Sequence, residues 1–479
     1  MAAVTEPSAT LGNTISPAAF HSASQTTLET SELQLKAFNA EKKQDEETRS
    51  SDEVVVPVND NDAPNSTLPT ANHQSAIPNG GAAAWLQVVG AFMVFFNSWG
   101  ILNTFGAFQT YYESGQLFEE SSSNIAWIGA IQAYSVLFAG LITGPIYDRG
   151  YLRSLLVVGG FGIVFGHMML SLSHTFWQAL LAQGFCIGLG AGIMFTPTLA
   201  VLPTYFNTRV GLAIGLAASG SSFGGIVYPV AFYNLIDTIG FPWAVRVLGF
   251  IAFATMLVPI FFMKQRVRPA HARALLDLSA FTDWPFVTFV LSTLVGYTGL
   301  YVILFYLSYF GQSSKITDAS LSFYIVAILN ATSMFGRTLP AALSDKTGSL
   351  NLIIPGAFFC ALLNFVMLAV DSVAGIVVVA LCFGFFSGVF VSLPPVLSVA
   401  FSQDKSKIGT RMGMGFAVLG FGVLIGGPGG GAILGSGGVG GEENWRGLWI
   451  FGGVTSMISV VVYITLRIWK VGFKINAKV

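Results

Sequence analysis

Long apolar stretches broken by short polar ones make up most of this chain. From Trp85 onward, twelve apolar runs of about 20 residues follow one another, the length that carries an α-helix across bilayer hydrocarbon. Their centres fall near Phe95, Val136, Val164, Cys186, Leu216, Ala254, Val295, Leu329, Ala361, Phe385, Val418 and Ser456. Several contain Gly or Pro, which membrane helices tolerate when neighbours satisfy the freed backbone groups. The pattern predicts an all-α membrane protein with twelve transmembrane helices. Residues 1–80 differ: rich in Ser, Thr, Asn, Ala and acid, they bury too little apolar surface to offset chain entropy. A disordered acidic cytosolic tail is expected there, either a regulatory handle or an inert leader. No basic stretch followed by an apolar one marks a cleavable signal peptide. The sequon Asn65-Ser66-Thr67 is expected to face the cytosol unmodified.

Composition supports a membrane protein, with 53% hydrophobic and only 10% charged residues against about 25% charged in soluble domains. The net charge of -1 conceals an asymmetry, since the first 80 residues hold four basic side chains against eleven acidic ones. With both termini cytosolic, fifteen Lys and Arg fall on the inner side, Arg209, Arg273, Lys407 and Arg411 among them. Only Arg246, Lys315 and Arg446 fall outside. That distribution obeys the positive-inside rule, and the plasma membrane is the expected location. The longest basic connection, 264–283, separates a six-helix bundle over 81–263 from another over 284–472, with a cytosolic tail at 473–479. The halves repeat: Asp148 pairs with Asp345, Arg209 with Arg411 and Pro229 with Pro428, each at an offset of roughly 200 residues.

Some chemistries drop out. Cys186, Cys360 and Cys382 lie in apolar runs and have no disulfide or metal spacing. The glycine strings Gly188–Gly192 and Gly426–Gly431 follow no strand and lack the Lys-Ser/Thr of a phosphate cradle, so they read as close helix packing. No catalytic set, cofactor motif, metal cluster or nucleic-acid signal appears, and the expectation is a non-enzyme.

Arg337 is the exception within the apolar runs, a guanidinium that keeps its proton where burial costs several kcal/mol. Asn330 and Ser333 precede it by seven and four residues, on the same helix face. The expected role is a cavity wall in which Arg337 meets an anionic or polar substrate; snorkelling to the cytosol is the competing reading. Asn103, Gln183 and Tyr301 are expected as orienting contacts, ahead of Gln109, Gln132, Tyr297 and Ser387. His167 reads as packing. Asp148 and Asp345 are placed in loops, and Asp237 and Asp371 near outer ends, leaving no carboxylate in a span interior. Protons are a candidate co-substrate, carried in that case by the substrate, His167 or a loop acid.

The segment Gly144-Pro-Ile-Tyr-Asp148-Arg149-Gly150…Arg153 resembles the signature of the major facilitator superfamily, with a degenerate copy at Gly336…Asp345-Lys346…Gly348. Pro78-Asn79-Gly80-Gly81…Trp85, Gln183-Gly184…Gly192 and Ser219-Gly220-Ser221-Ser222…Pro229 are similar to the monocarboxylate porter branch, in its fungal form. The resemblance implies two pseudo-symmetric six-helix bundles and a gate made of Gly144, Asp148, Arg149, Arg153, Asp345 and Lys346. It also implies that Arg337 binds substrate. Animal carriers of that branch add an aspartate one turn earlier and a lysine in span one; here those places hold Ser333, Asn330 and Asn103. The expected function is a secondary active or facilitative transporter that moves a small organic acid or an anionic or polar metabolite by alternating access. The departures favour a larger or non-lactate-like compound, exported as a fungal secondary metabolite. An importer of a monocarboxylate or a vitamin such as riboflavin, and a non-transporting nutrient sensor, are the alternatives. The implied partners are a small-molecule substrate and the lipid bilayer.

Overall fold

The computed structural model describes residues 79–207, 209–267, 273–401, 407–437 and 443–472, without the side chains of 345, 346, 399 and 408. The expected tail at 473–479 and all but the end of that at 1–80 lie outside the described residues. Helices long and apolar enough to span a bilayer run over Ala82–Glu113 (span 1), Ser122–Asp148 (span 2), Leu152–Leu170 (span 3) and Phe176–Thr204 (span 4). After the 53-residue helix Val210–Phe262 come Trp284–Ser313 (span 7), Ala319–Ser344 (span 8), Leu350–Ala369 (span 9), Val373–Ser398 (span 10), Gly409–Leu434 (span 11) and Trp445–Val471 (span 12). A 53-residue helix rises about 80 Å, far beyond a hydrocarbon core of about 30 Å. It breaks at Gly240, whose φ of 74° is open to glycine at little cost, with Pro242 just beyond. The two arms, 210–239 and 241–262, are spans 5 and 6, so the described chain crosses twelve times.

The starts of the spans differ between the two faces. Those entering from the face opposite the 263–283 linker, span 6 excepted since it starts at Gly240, are capped by polar side chains. Ser121 accepts from the Asn124 N–H, Asp318 from Leu321, Ser372 from Gly375 and Asn444 from Gly447. At span 4, Gln178 accepts from the Thr175 N–H at 3.2 Å. Each cap satisfies an otherwise orphaned helix donor. Spans entering from the linker face begin without a side-chain cap.

Spans 2 and 11 pack along each other, as do spans 5 and 8. Exchanging the halves, span 2 for 8 and span 11 for 5, turns the first pair into the second, as two repeats about one axis require. Small residues permit the close approaches: a Cβ on Gly188 would lie 2.8 Å from the Gln132 carbonyl oxygen of span 2. In span 4, just before Gly188, Leu180–Ile187 widen into a π-helix. A buried network fastens spans 1, 5 and 6, with Tyr228 Oη donating to Asn97 Oδ1 at 2.6 Å and Asn97 Nδ2 to Thr255 Oγ1 at 2.9 Å. His167 sits beneath Gly249 with Nδ1 2.8 Å from the Ile163 carbonyl, in a packing position.

Candidate functional site

Arg337 is 6% exposed and lies where spans 5 and 8 meet across the two halves. Its Nε donates to Ser333 Oγ at 3.2 Å, one turn back on its own helix. Its Nη1 donates to Ser221 Oγ of span 5 at 2.7 Å, while the Ser221 hydroxyl donates to the Ala218 carbonyl. Among the described residues no carboxylate reaches it. A buried guanidinium held by two neutral hydroxyls is under-compensated, because hydroxyl dipoles offset only part of the lost hydration. Beside it, Asn330 points its Nδ2 at the Val326 carbonyl and packs directly on Gly225 of span 5.

Two cavities meet at Arg337. One, of about 10 Å³, is lined by Asn103, Tyr301, Asn330, Ser333 and Ser387 together with Trp99 and Arg337. The other, of about 40 Å³, opens from Arg337 among Phe95, Trp99, Phe195, Tyr297 and Phe416. Two donors on these walls, Trp99 Nε1 and Asn103 Nδ2, are buried without a hydrogen-bond partner. Buried donors left open in a site are where a ligand's acceptors belong. Both cavities are far below the ~300 Å³ of a small-molecule pocket, so the site is contracted and its walls must part to admit a metabolite.

Of the six expected contacts Arg337, Asn330, Ser333, Asn103, Gln183 and Tyr301, the fold brings all but Gln183 to one cavity. Gln183 stands apart: it lines neither cavity, and its Oε1 accepts from Tyr112 Oη at 2.7 Å within the π-helical stretch. Trp99 and Ser221 were missed, since only the span 5–span 8 contact and the turn at Ser98 aim them at Arg337.

At the linker face, Asp148 proves to be the last residue of a helix, 4% exposed, and not a loop residue. It accepts from Arg273 three times: from the backbone N at 2.9 Å, Nε at 2.7 Å and Nη2 at 2.7 Å. The Arg273 side chain lies against Gly144 of span 2 and Gly409 of span 11; a Cβ on Gly409 would clash with its Nη1. Arg411 in turn donates to Asp277 Oδ2 at 3.0 Å and Asp283 Oδ2 at 2.7 Å, and Lys407 reaches Asp277 at 3.3 Å. An acid at a helix C-terminus and a cation in the first turn of span 11 both oppose their helix dipoles. The linker charges therefore compensate them and connect the two halves. Arg149 and Arg153 are exposed and form no ion pair among the described residues, and Asp345, expected in a loop, lies with Lys346 in the last turn of the helix Ala319–Thr347.

At the opposite face Thr110 of span 1 donates to Ser308 of span 7 at 3.0 Å, and Ser123 of span 2 to the Pro428 carbonyl of span 11 at 2.9 Å. A carboxylate that the sequence reading passed over ends span 1 here: Glu113, half-buried, accepts from Gln109 at 2.6 Å and Ser122 at 2.8 Å. Its signal was present, a lone acid closing an apolar run.

Twelve spans in two repeats, closed around a buried cation, define a membrane transporter. Residues 88–407 match the Major Facilitator Superfamily, and the chain belongs to it. The MFS-type transporter dbaD of Emericella nidulans is 59% identical over 381 residues, covering 80% of this chain and 85% of that one. The aspyridones efflux protein apdF of the same organism is 35% identical over 367 residues, 76% of this chain and 75% of its own. In fold, the chain is similar to the peptide transporter POT solved in complex with sulfate. The TM-score is 0.63 at 12% identity, covering 82% of this chain and 96% of that one.

Proposed function

We propose that this transporter exports an anionic or strongly polar fungal metabolite by alternating access of two six-span halves around Arg337. The observation that carries the reading is the under-compensated charge: among the described residues Arg337 donates to two hydroxyls and meets no carboxylate, and it opens onto both cavities. Asn330, Ser333, Asn103 and Tyr301 complete the polar wall, joined by Trp99 and Ser221. The aromatic wall of Phe95, Phe195 and Phe416 suits a substrate with a large apolar body. A relative bearing the name of an efflux protein supports export. An arginine in span 8 is also what the monocarboxylate porter branch would use. Gln183 serves packing between spans 1 and 4.

In this reading the linker face is cytosolic, as the Lys and Arg distribution favours, both termini are cytosolic and the membrane is the plasma membrane. The halves are residues 81–263 and 284–472, joined by 264–283. Gly144, Asp148, Arg273 and Arg411 form the inner gate, with Arg149, Arg153, Asp345 and Lys346 flanking it.

The test is efflux from cells lacking or expressing the protein, using labelled organic acids, vitamins and secreted metabolites, with and without a proton uncoupler. Arg337→Ala is expected to abolish flux while surface insertion stays normal, and Arg337→Lys to retain part of it. Full flux in Arg337→Ala would overturn the role. Uptake in place of efflux would establish an importer, and substrate binding without flux a sensor.

A further inference from the structure

A third cavity, of about 290 Å³, lies at the linker end of the seam, away from Arg337. Its size approaches that of small-molecule sites. Leu141 of span 2 supplies one wall, Leu276 and Phe281 of the linker another, and Phe286, Val290 and Met414 of spans 7 and 11 the rest. All its lining side chains are apolar. The rim is open at Leu276, Phe281 and Leu291, which are 56%, 61% and 52% exposed. Leu291 belongs to a membrane span, so the mouth opens onto bilayer hydrocarbon.

The linker continues that surface. Leu275, Leu278 and Trp284 are also exposed, whereas Asp277 and Asp283 turn towards Arg411. A strip with charge on one side and large apolar groups on the other is the pattern of a segment that lies in the plane of a membrane interface, apolar side towards lipid.

We propose that this cavity binds one acyl chain of a bilayer lipid, which enters past Leu291 and Phe281 and seats against Phe286, Val290 and Met414. The medium at the mouth supplies this occupant, and the apolar lining suits it. One wall belongs to the first half and the others to the linker and second half. The seated tail therefore fills a gap that relative motion of the halves must reshape, and it favours the arrangement described here by binding it more tightly.

Gly415 provides the test. A Cβ there meets Val290 Cγ2 at 3.5 Å and Phe286 Cζ at 3.7 Å, ordinary contacts, so a longer side chain can occupy the cavity. The full chain is placed in phosphatidylcholine nanodiscs containing a trace of phosphatidylcholine with a mid-chain diazirine, irradiated, and its labelled peptides quantified. Labelling of Met414–Val418 is expected at about fivefold that of Phe161 and Phe165 on span 3, a ratio equal to a preference near 1 kcal/mol. Gly415→Leu, or Ala417→Leu from the same wall, should bring it down to the span 3 level and leave span 3 unchanged. Wild-type labelling equal to that of span 3 means ordinary boundary lipid and overturns the site whatever the variants do. Enrichment that persists in a folded Gly415→Leu protein also overturns it.

Discussion

Replacing Asp148 by Asn removes a charge while keeping the shape of the side chain, and the structure sets the cost. Asp148 and Arg273, 125 residues apart, share three hydrogen bonds, and their side chains are 2% and 15% exposed. Losing one partner of a buried, hydrogen-bonded ion pair costs about 3–5 kcal/mol, mostly because the other charge is left uncompensated. Arg273 keeps some access to water, so Asp148→Asn should cost about 3 kcal/mol, the low end of that range. Arg273→Gln strands a carboxylate at the C-terminal end of a helix dipole and should cost at least as much. The double variant should then cost little more than either single one, a coupling of about 3 kcal/mol in a double-mutant cycle. The assay is equilibrium unfolding of the purified full chain in mixed micelles. Arg149→Gln, exposed and without an ion pair, serves as a control expected within about 0.5 kcal/mol of wild type. Additivity of the two substitutions within about 0.5 kcal/mol would refute the pairing as an energetic link.

Two further outcomes rest on particular contacts. A Cβ on Gly225 would sit 2.4 Å from Asn330 Cγ, so Gly225→Ala should destabilise by about 1–3 kcal/mol. Adding Asn330→Ala in the same chain should restore most of the loss in thermal unfolding; no rescue would separate the two residues. The Ser279 hydroxyl, then Arg411 and Lys407, hold the Asp277 carboxyl well below the usual carboxylate range, against the opposing effect of burial. A depressed folded value means that this contribution is complete above the unfolded pKa of about 3.9 and is lost as pH falls through the folded one. The Tm difference between wild type and Asp277→Asn should therefore stay constant from pH 8 to pH 5; narrowing within that interval would contradict the assignment.

The crossings were legible because lipid demands long, internally bonded apolar helices, which leave an unmistakable pattern. Each expected centre falls within its span. The Asn330, Ser333 and Arg337 stripe was legible because helical spacing alone puts those side chains on one face. Trp99 and Ser221 were not, since their role depends on how two helices from different halves meet. The partner of Asp148 was hidden for the same reason. Its loop looked self-sufficient in charge, with Arg149 adjacent, whereas the cation that holds it comes from the linker. The glycine strings were readable as packing but not as to partner: Gly188 faces the Gln132 carbonyl and Gly190 the Gly159 carbonyl, pairings fixed only by the assembled bundle.

The bend at Gly240 bears on how force passes through the first half. Spans 5 and 6 are joined there by a single non-helical residue and not by a slack loop. On the proposed alternating access, a tilt of span 5 at the Ser221–Arg337 contact is expected to pass to span 6 through that one residue. Span 6 presses Gly249 against His167 and Met168 of span 3, so the displacement carries on to the lipid-facing edge of the bundle. On the proposed alternating access the bend acts as an elbow, and the first half is expected to swing as one lever arm when the central contact lets go.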